Sequence, residues 1–174
     1  MHLPERSALF IDGSNFHATT KLLNLDIDYL RLINFFKQKE RVTRAYYYTA
    51  LPDPSEQSHL RKLIDFLDYN GYTIVSKQTR EYVNQLTGEK RTKGNMDMEL
   101  ALDMLKLSPY IDHAYLFSGD GDFCRLLEEV QDRGVRVTVV SSMRTQPNMV
   151  SDALRRKADH FLELDDIFAE FERE

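Results

Sequence analysis

The chain has 174 residues, enough for one domain to bury its own core without disulfides or a structural metal. Its single cysteine, Cys124, excludes an internal disulfide and a thiolate metal cluster and fits a reducing compartment. With 23 Lys and Arg against 28 Asp and Glu the formal charge is −5, which argues against a DNA-coating protein but not against an enzyme that meets a few phosphates.

The opening MHLPERSALFIDGSN has no apolar run behind a basic lead, and no later segment has the uninterrupted apolar length that spans a bilayer. A cytoplasmic protein with no membrane association is expected. SALFID reads as a buried strand closing on Asp12, with Asn15 at the start of the next helix. LDIDYLRLINFFKQK (residues 25–39) predicts a helix, TRAYYYTAL a strand, SEQSHLRKLIDFLDYNG (55–71) a helix and YTIVSKQ a strand. The segment TREYVNQLTGEKRTKG (79–94) alternates and turns at Thr87-Gly88, which predicts a protruding hairpin. That hairpin is basic: Arg80, Lys90, Arg91 and Lys93, with Lys77 just ahead, outweigh Glu81 and Glu89. NMDMELALDMLKL then predicts a helix with Asp97 near its start, where the helix dipole favours an anion. HAYLFSG, GDFCRLLEEVQDRG, VRVTVVSS and MVSDALRRKAD continue the alternation of strand and helix. A short strand HFLEL and a last helix over residues 165–174 end it.

Continuously apolar strands joined by helices indicate a mainly parallel sheet covered on both faces, within one domain over residues 1–174 whose core spans about residues 6–165. Ligands in such sheets sit beyond the carboxyl ends of the strands, where Asp12, Asp120 and Asp122 collect. In SGDGDF the two aspartates project to one side while Gly119 and Gly121 permit a tight backbone. Like charges placed there repel, and a hard divalent cation such as Mg²⁺, which takes oxygen ligands, removes the repulsion. Asp103 falls on a different helix face from Asp97 and suits a supporting role. Taken singly, Asp12-Gly13-Ser14-Asn15 also reads as a capped turn, Asp97 as an ordinary early-helix acid and Asp120 with Asp122 as turn residues. Convergence of all four on one sheet edge is what favours a site. Other acidic motifs fail on spacing: an EF-hand starting at Asp120 would need glycine where Arg125 stands, and a D-x-D phosphatase would need aspartate where Ser14 stands. No strand is followed by G-x-G-x-x-G, so no nucleotide cofactor is expected, and the dispersed histidines form no zinc pattern.

Three segments, LFIDGSNF, KGNMDMELALDML and LFSGDGDFCRLLEEVQDRGVRVTVV, resemble in that order the NYN domain, the LabA-like branch of the PIN-like nuclease superfamily, over residues 6 to 165. The resemblance implies a PIN-like three-layer α/β/α sandwich and a ribonuclease site that uses one or two Mg²⁺ or Mn²⁺ ions. By position it implies Asp12, Asp97, Asp120 and Asp122 as metal ligands and catalytic acids, and Asn15 as the asparagine of the D-x-x-N motif. Lys93 matches the lysine of K-G-x-x-D, and Ser118 and Asp103 match further family positions. It also implies RNA as the partner, cleaved to 5′-phosphate and 3′-hydroxyl ends. Arg80, Arg91 and Arg144, with Lys93 and Ser118, are the candidate substrate contacts, since basic residues interleaved with aromatics suit single strands. The metal chemistry alone would serve a DNA nuclease or a phosphatase equally. A regulatory RNA-binding module that keeps the acids without turnover is the alternative of a different class.

Overall fold

The computed structural model describes residues 2–51 and 58–174, without the side chains of Ser58, Arg80, Thr92 and Lys93. Six strands form one parallel sheet: β1 (Arg6–Asp12), β2 (Arg41–Leu51), β3 (Thr73–Gln78), β6 (His113–Phe117), β7 (Arg136–Ser141) and β8 (His160–Glu163), in the order β3-β2-β1-β6-β7-β8. The expected hairpin is present as β4 (Arg80–Val83) and β5 (Lys90–Lys93), an antiparallel pair outside this sheet. Helices α1 (Gly13–Leu22), α2 (Tyr29–Lys37), α3 (Ser58–Tyr69), α4 (Asp97–Leu107), α5 (Cys124–Asp132), α6 (Asp152–Lys157) and α7 (Leu164–Ile167) join the strands.

Strand periodicity sorts the core into two layers. Along β1, Ala8 and Phe10 pack with Leu100, Met104, Leu127 and Leu154 of α4, α5 and α6, while Leu9 and Ile11 face Phe16, Leu32, Phe36 and Leu67 of α1, α2 and α3. Every residue of β6 is buried, as a central parallel strand between two helical layers requires. From β1 the chain winds outward through β2 to β3, then returns through α4 to β6 on the other side of β1 and winds outward again. The strand order therefore reverses between β1 and β6, and a crevice opens at their carboxyl ends.

Two elements differ from the sequence expectation. The first crossover holds two helices: the one expected to open at Asn15 begins at Gly13 as α1, separate from α2, which answers to the helix predicted over residues 25–39. The buried face of α1 includes Thr19 and Thr20, whose hydroxyls bond back to the carbonyls of Asn15 (2.8 Å) and His17 (2.9 Å), so apolar periodicity does not reveal it. Asn24 at φ 56° turns the chain out of α1, and Asp28 caps α2 by accepting from the N–H groups of Leu30 and Arg31. The last helix is also short. After α7 and a tight turn at Phe168–Glu170, the backbone extends so that Phe171 is buried and Glu172 pairs with Ile27. Burying that ring outweighs the hydrogen bonds of a longer terminal helix. The expected start of the helix before Ser58 lies outside the described residues.

Candidate metal centre and its cleft

Four aspartates gather from three backbone segments: Asp12, Asp97 and Asp120 line the crevice, and Asp122 is exposed beside Asp120. Asp12 ends β1 and caps α1; its Oδ1 accepts from the Ser14 hydroxyl (3.3 Å) and the Asn15 N–H (3.5 Å), and its Oδ2 from the Ser118 hydroxyl (2.9 Å). Burial, at 8 % exposure, pushes its carboxyl pKa up despite those three donors, and the charge of Asp120 adds to the effect. Asp120 follows β6 and caps the turn Gly121–Phe123 by accepting from the Asp122 N–H (2.9 Å). Asp97 opens α4, where its N–H donates to Asn95 Oδ1 (2.6 Å) and its carboxylate accepts from Asn95 Nδ2 (3.2 Å).

Carboxylate oxygens of Asp97, Asp120 and Asp122 lie within 4.8 Å of one another, close enough to hold one metal ion. Burial, the charges of Asp120 and Asp12 and a hydrogen bond shared with Asp120 push the Asp97 carboxyl up to about 6, against the opposing bond from Asn95. Among the described residues no Lys or Arg forms an ion pair with any of the four aspartates. Asp12 stands apart from the group of three and joins it through Ser118, whose oxygen also accepts from the Asp120 N–H (3.2 Å).

The loop that carries Asp120 and Asp122 is fixed from two sides. Asn15 Oδ1 accepts from the Gly119 N–H (3.0 Å), tying α1 to the end of β6, and the Ser151 N–H donates to the Gly119 carbonyl (2.8 Å). A Cβ at Gly119 would stand 1.8 Å from the Met149 carbonyl oxygen, so only glycine permits this approach. Asn15 and Ser118 thus spend their polar atoms on holding the acids in place.

The other expected residues separate by their partners. Asp103 accepts from the Tyr48 hydroxyl (2.9 Å) and sits behind β2. Arg144 is ion-paired with Asp166 (2.6 Å), Asp165 (3.3 Å) and Glu163 (3.6 Å), which leaves little free charge for a phosphate. Arg91 and Lys90 are exposed on β5. Arg80 and Lys93 pair across the hairpin by backbone, and their side chains lie outside the described residues. The hairpin leaves the body at Thr79 and Gly94, both on the wall of the crevice, so its basic strands start at the rim of the acidic site.

The crevice is wider than the acid cluster. It encloses about 1030 Å³ and runs from Asp12, Asp97 and Asp120 past the end of β2 to an apolar arm between α1 and α3. Ser14, His17 and Ala18 share one face of α1 there, and His59, Leu60 and Leu63 come from α3. The sequence reading missed these residues, because by spacing alone Leu60 and Leu63 read as the core face of an amphipathic helix, and only the structure shows them partly uncovered.

A second group, Glu5, Glu40 and His113, also has ligand atoms within 4.8 Å of one another, at the opposite edge of the sheet. His113 Nδ1 is 2.8 Å from Glu40 Oε1 and its Nε2 is 2.6 Å from Thr138 Oγ1, while Tyr115 donates to Glu40 (2.9 Å) and Arg136 pairs with Glu5. Among the described residues, no helix is long and apolar enough to cross a membrane.

Residues 6–165 match the NYN domain family. The chain is 34% identical over 167 residues to the low amplitude and bright protein LabA of Synechococcus elongatus, covering 94% of this chain and 86% of that one. A solved structure from Vibrio parahaemolyticus, that of VPA0982, a protein of unknown function, is similar over 99% of both chains with a TM-score of 0.76 and 27% identity.

Proposed function

This chain belongs to the NYN domain family, in the LabA-like branch of the PIN-like nuclease superfamily, and from that premise we propose that it hydrolyses phosphodiester bonds of single-stranded RNA with a divalent metal ion. The observation that carries the reading is the group Asp97, Asp120 and Asp122, whose oxygens converge at the reversal of strand order without a cationic partner among the described residues. An all-oxygen donor set with mutual repulsion fits a hard cation such as Mg²⁺ or Mn²⁺. Asp97, Asp120 and Asp122 would hold it, with Asp12 alongside. Once bound, the ion supplies polarisation of a phosphodiester oxygen and a lowered pKa for a bound water.

The remaining work falls to the chain itself. Ser14 and Ser118 each hold one oxygen of Asp12, so that its carboxylate keeps one orientation. Ser118 couples that orientation to the Asp120 backbone. Asn15 and the Gly119 contact fix the loop, so the acids need no reorganisation when substrate arrives. Asp97, which opens α4 beside Asp120 and Asp122, would also orient the attacking water. Lys90 and Arg91, and by position Arg80 and Lys93, draw the phosphate backbone towards the crevice. RNA as substrate, with 5′-phosphate and 3′-hydroxyl products, follows the family.

The test is cleavage of end-labelled single-stranded RNA with Mg²⁺ or Mn²⁺, comparing wild type with Asp12→Asn and Asp120→Asn. Metal-dependent cleavage that both substitutions abolish, with folding intact, is the expected result. No cleavage by any of the three, or equal cleavage by all, would sink the proposal.

A further inference from the structure

The acid cluster occupies only one end of the crevice, and nothing in phosphate chemistry uses the other. A metal-bound phosphate needs oxygen donors, whereas the arm between α1 and α3 offers Ala18, Leu60 and Leu63 with His17 and His59 exposed on facing helices. The whole crevice, about 1030 Å³, is at the top of the range of roughly 300–1000 Å³ for sites that enclose a small molecule. It therefore has room for a nucleoside beside the phosphate. A base is a flat, largely apolar plate with polar edges, and it matches a wall of aliphatic side chains rimmed by imidazoles, which stack on a base or hydrogen-bond its edge.

We propose that the arm between α1 and α3 is a subsite for the base and ribose of the nucleotide next to the scissile phosphate in a single strand. The proposal rests on the nuclease reading for the word scissile; the pocket's affinity for a nucleoside does not. Continuity argues for a strand, because one crevice is lined by the arm, by the acids and, at the end of β2, by the hairpin root at Thr79 and Gly94. A base paired in a duplex cannot enter such an arm without leaving its stack, so the subsite also explains a preference for unpaired substrate.

Adenosine and uridine, which carry no phosphate for the acids to repel, are the direct probes, titrated in EDTA against wild type while the Leu methyl and His ring NMR signals are followed. Saturable shifts at Leu60, Leu63, His17 and His59 are expected, and a trinucleotide with Mg²⁺ bound to Asp12→Asn should bind at least about tenfold more tightly than the nucleoside. The exposed pair His17→Ala with His59→Ala should weaken nucleoside binding and raise KM for RNA about fivefold or more, with kcat little changed. Absent shifts at these four residues, or an unchanged KM in the double variant, would overturn the subsite. Equal affinity for nucleoside and trinucleotide would overturn its assignment to a strand. Nucleoside binding without RNA cleavage would leave the pocket standing and remove the nuclease reading.

Discussion

The two edges of the sheet each gather carboxylates within reach of one ion, and they treat the charge in opposite ways. At the amino edge, Glu5 meets Arg136, and Glu40 meets the Tyr115 hydroxyl and His113, whose other ring nitrogen meets Thr138. One proton on His113 Nδ1 lets it donate to Glu40 and lets Nε2 accept from the Thr138 hydroxyl, so both ring nitrogens and Glu40 Oε1 have partners, while Glu40 Oε2 is buried without one. At the carboxyl edge the acids meet other acids and a few N–H and hydroxyl donors, and among the described residues no cation completes them. Proximity of possible ligands therefore does not identify a metal site. Uncompensated charge, held in place by hydrogen bonds, is what separates the carboxyl edge from the amino edge and favours it as the candidate.

The sharpest way to break this contrast is to neutralise one acid at each edge. Asp120→Asn should lower metal-dependent cleavage by about 10²–10³-fold, as expected when several kcal/mol of charge stabilisation is lost. Glu40→Gln should leave cleavage within about twofold while lowering stability by about 1–3 kcal/mol, because His113 and Tyr115 lose a charged acceptor. Rates from steady-state assays and unfolding midpoints for both variants decide the matter. An inactive Glu40→Gln protein that is still folded would erase the distinction.

Metal binding gives the next largest effect. Mn²⁺ at about a hundred times its dissociation constant should stabilise wild type by about 2.7 kcal/mol, seen as a rise in Tm. Asp97→Asn and Asp120→Asn should lose most of that rise, and Glu40→Gln should keep it from a lower baseline. A rise that survives at the carboxyl-edge variants and vanishes in Glu40→Gln would place the ion at the wrong edge.

What the sequence made legible follows the same division. The strand and helix alternation, the hairpin and the four aspartates were readable because apolar periodicity and strand ends are local signals. α1 was legible at its start, through Asp12 and Asn15, but not in its extent, since threonines form part of its buried face. Ser118 and Asn15 were readable as positions but not as supports, because their partners, Asp12 and Gly119, stand 106 and 104 residues away. The amino-edge cluster joins residues from four parts of the chain, and no spacing announces it. The crevice arm is lined from α1 and α3 together, which no local pattern announces.

Without metal, the pH dependence of stability should distinguish the edges more gently. The Asp97 carboxyl is raised to about 6 from an ordinary aspartate value near 3.8. A group raised in the folded state contributes stability that is full below the unfolded pKa and is lost as pH rises through the folded one. Metal-free wild type should thus lose stability between about pH 4 and 7, by roughly 1 kcal/mol once solvent screening of a partly exposed carboxyl is allowed for. Asp97→Asn should lack that decline, so it should equal wild type near pH 4 and exceed it near pH 7. Chemical denaturation in EDTA at both pH values measures it, and parallel curves for the two proteins would count against the raised carboxyl.

The narrowest comparison sets two buried hydroxyls side by side, one at each edge. Ser118 bridges Asp12 Oδ2 and the Asp120 N–H, and Thr138 faces His113 Nε2 at 2.6 Å. Ser118→Ala and Thr138→Val each remove one hydroxyl and leave a buried polar atom without its partner, so each should cost about 1–3 kcal/mol in stability. Their effects on cleavage should differ. Losing Ser118 frees Asp12 to turn and unties it from the loop of Asp120, and about 1.4 kcal/mol of lost positioning corresponds to roughly tenfold in rate. Losing Thr138 loosens an edge that touches no acid of the cleft, and cleavage should change by less than twofold. Equal stability losses with unequal rate losses would show that the same chemistry, a hydroxyl between two polar groups, closes one edge and prepares the other.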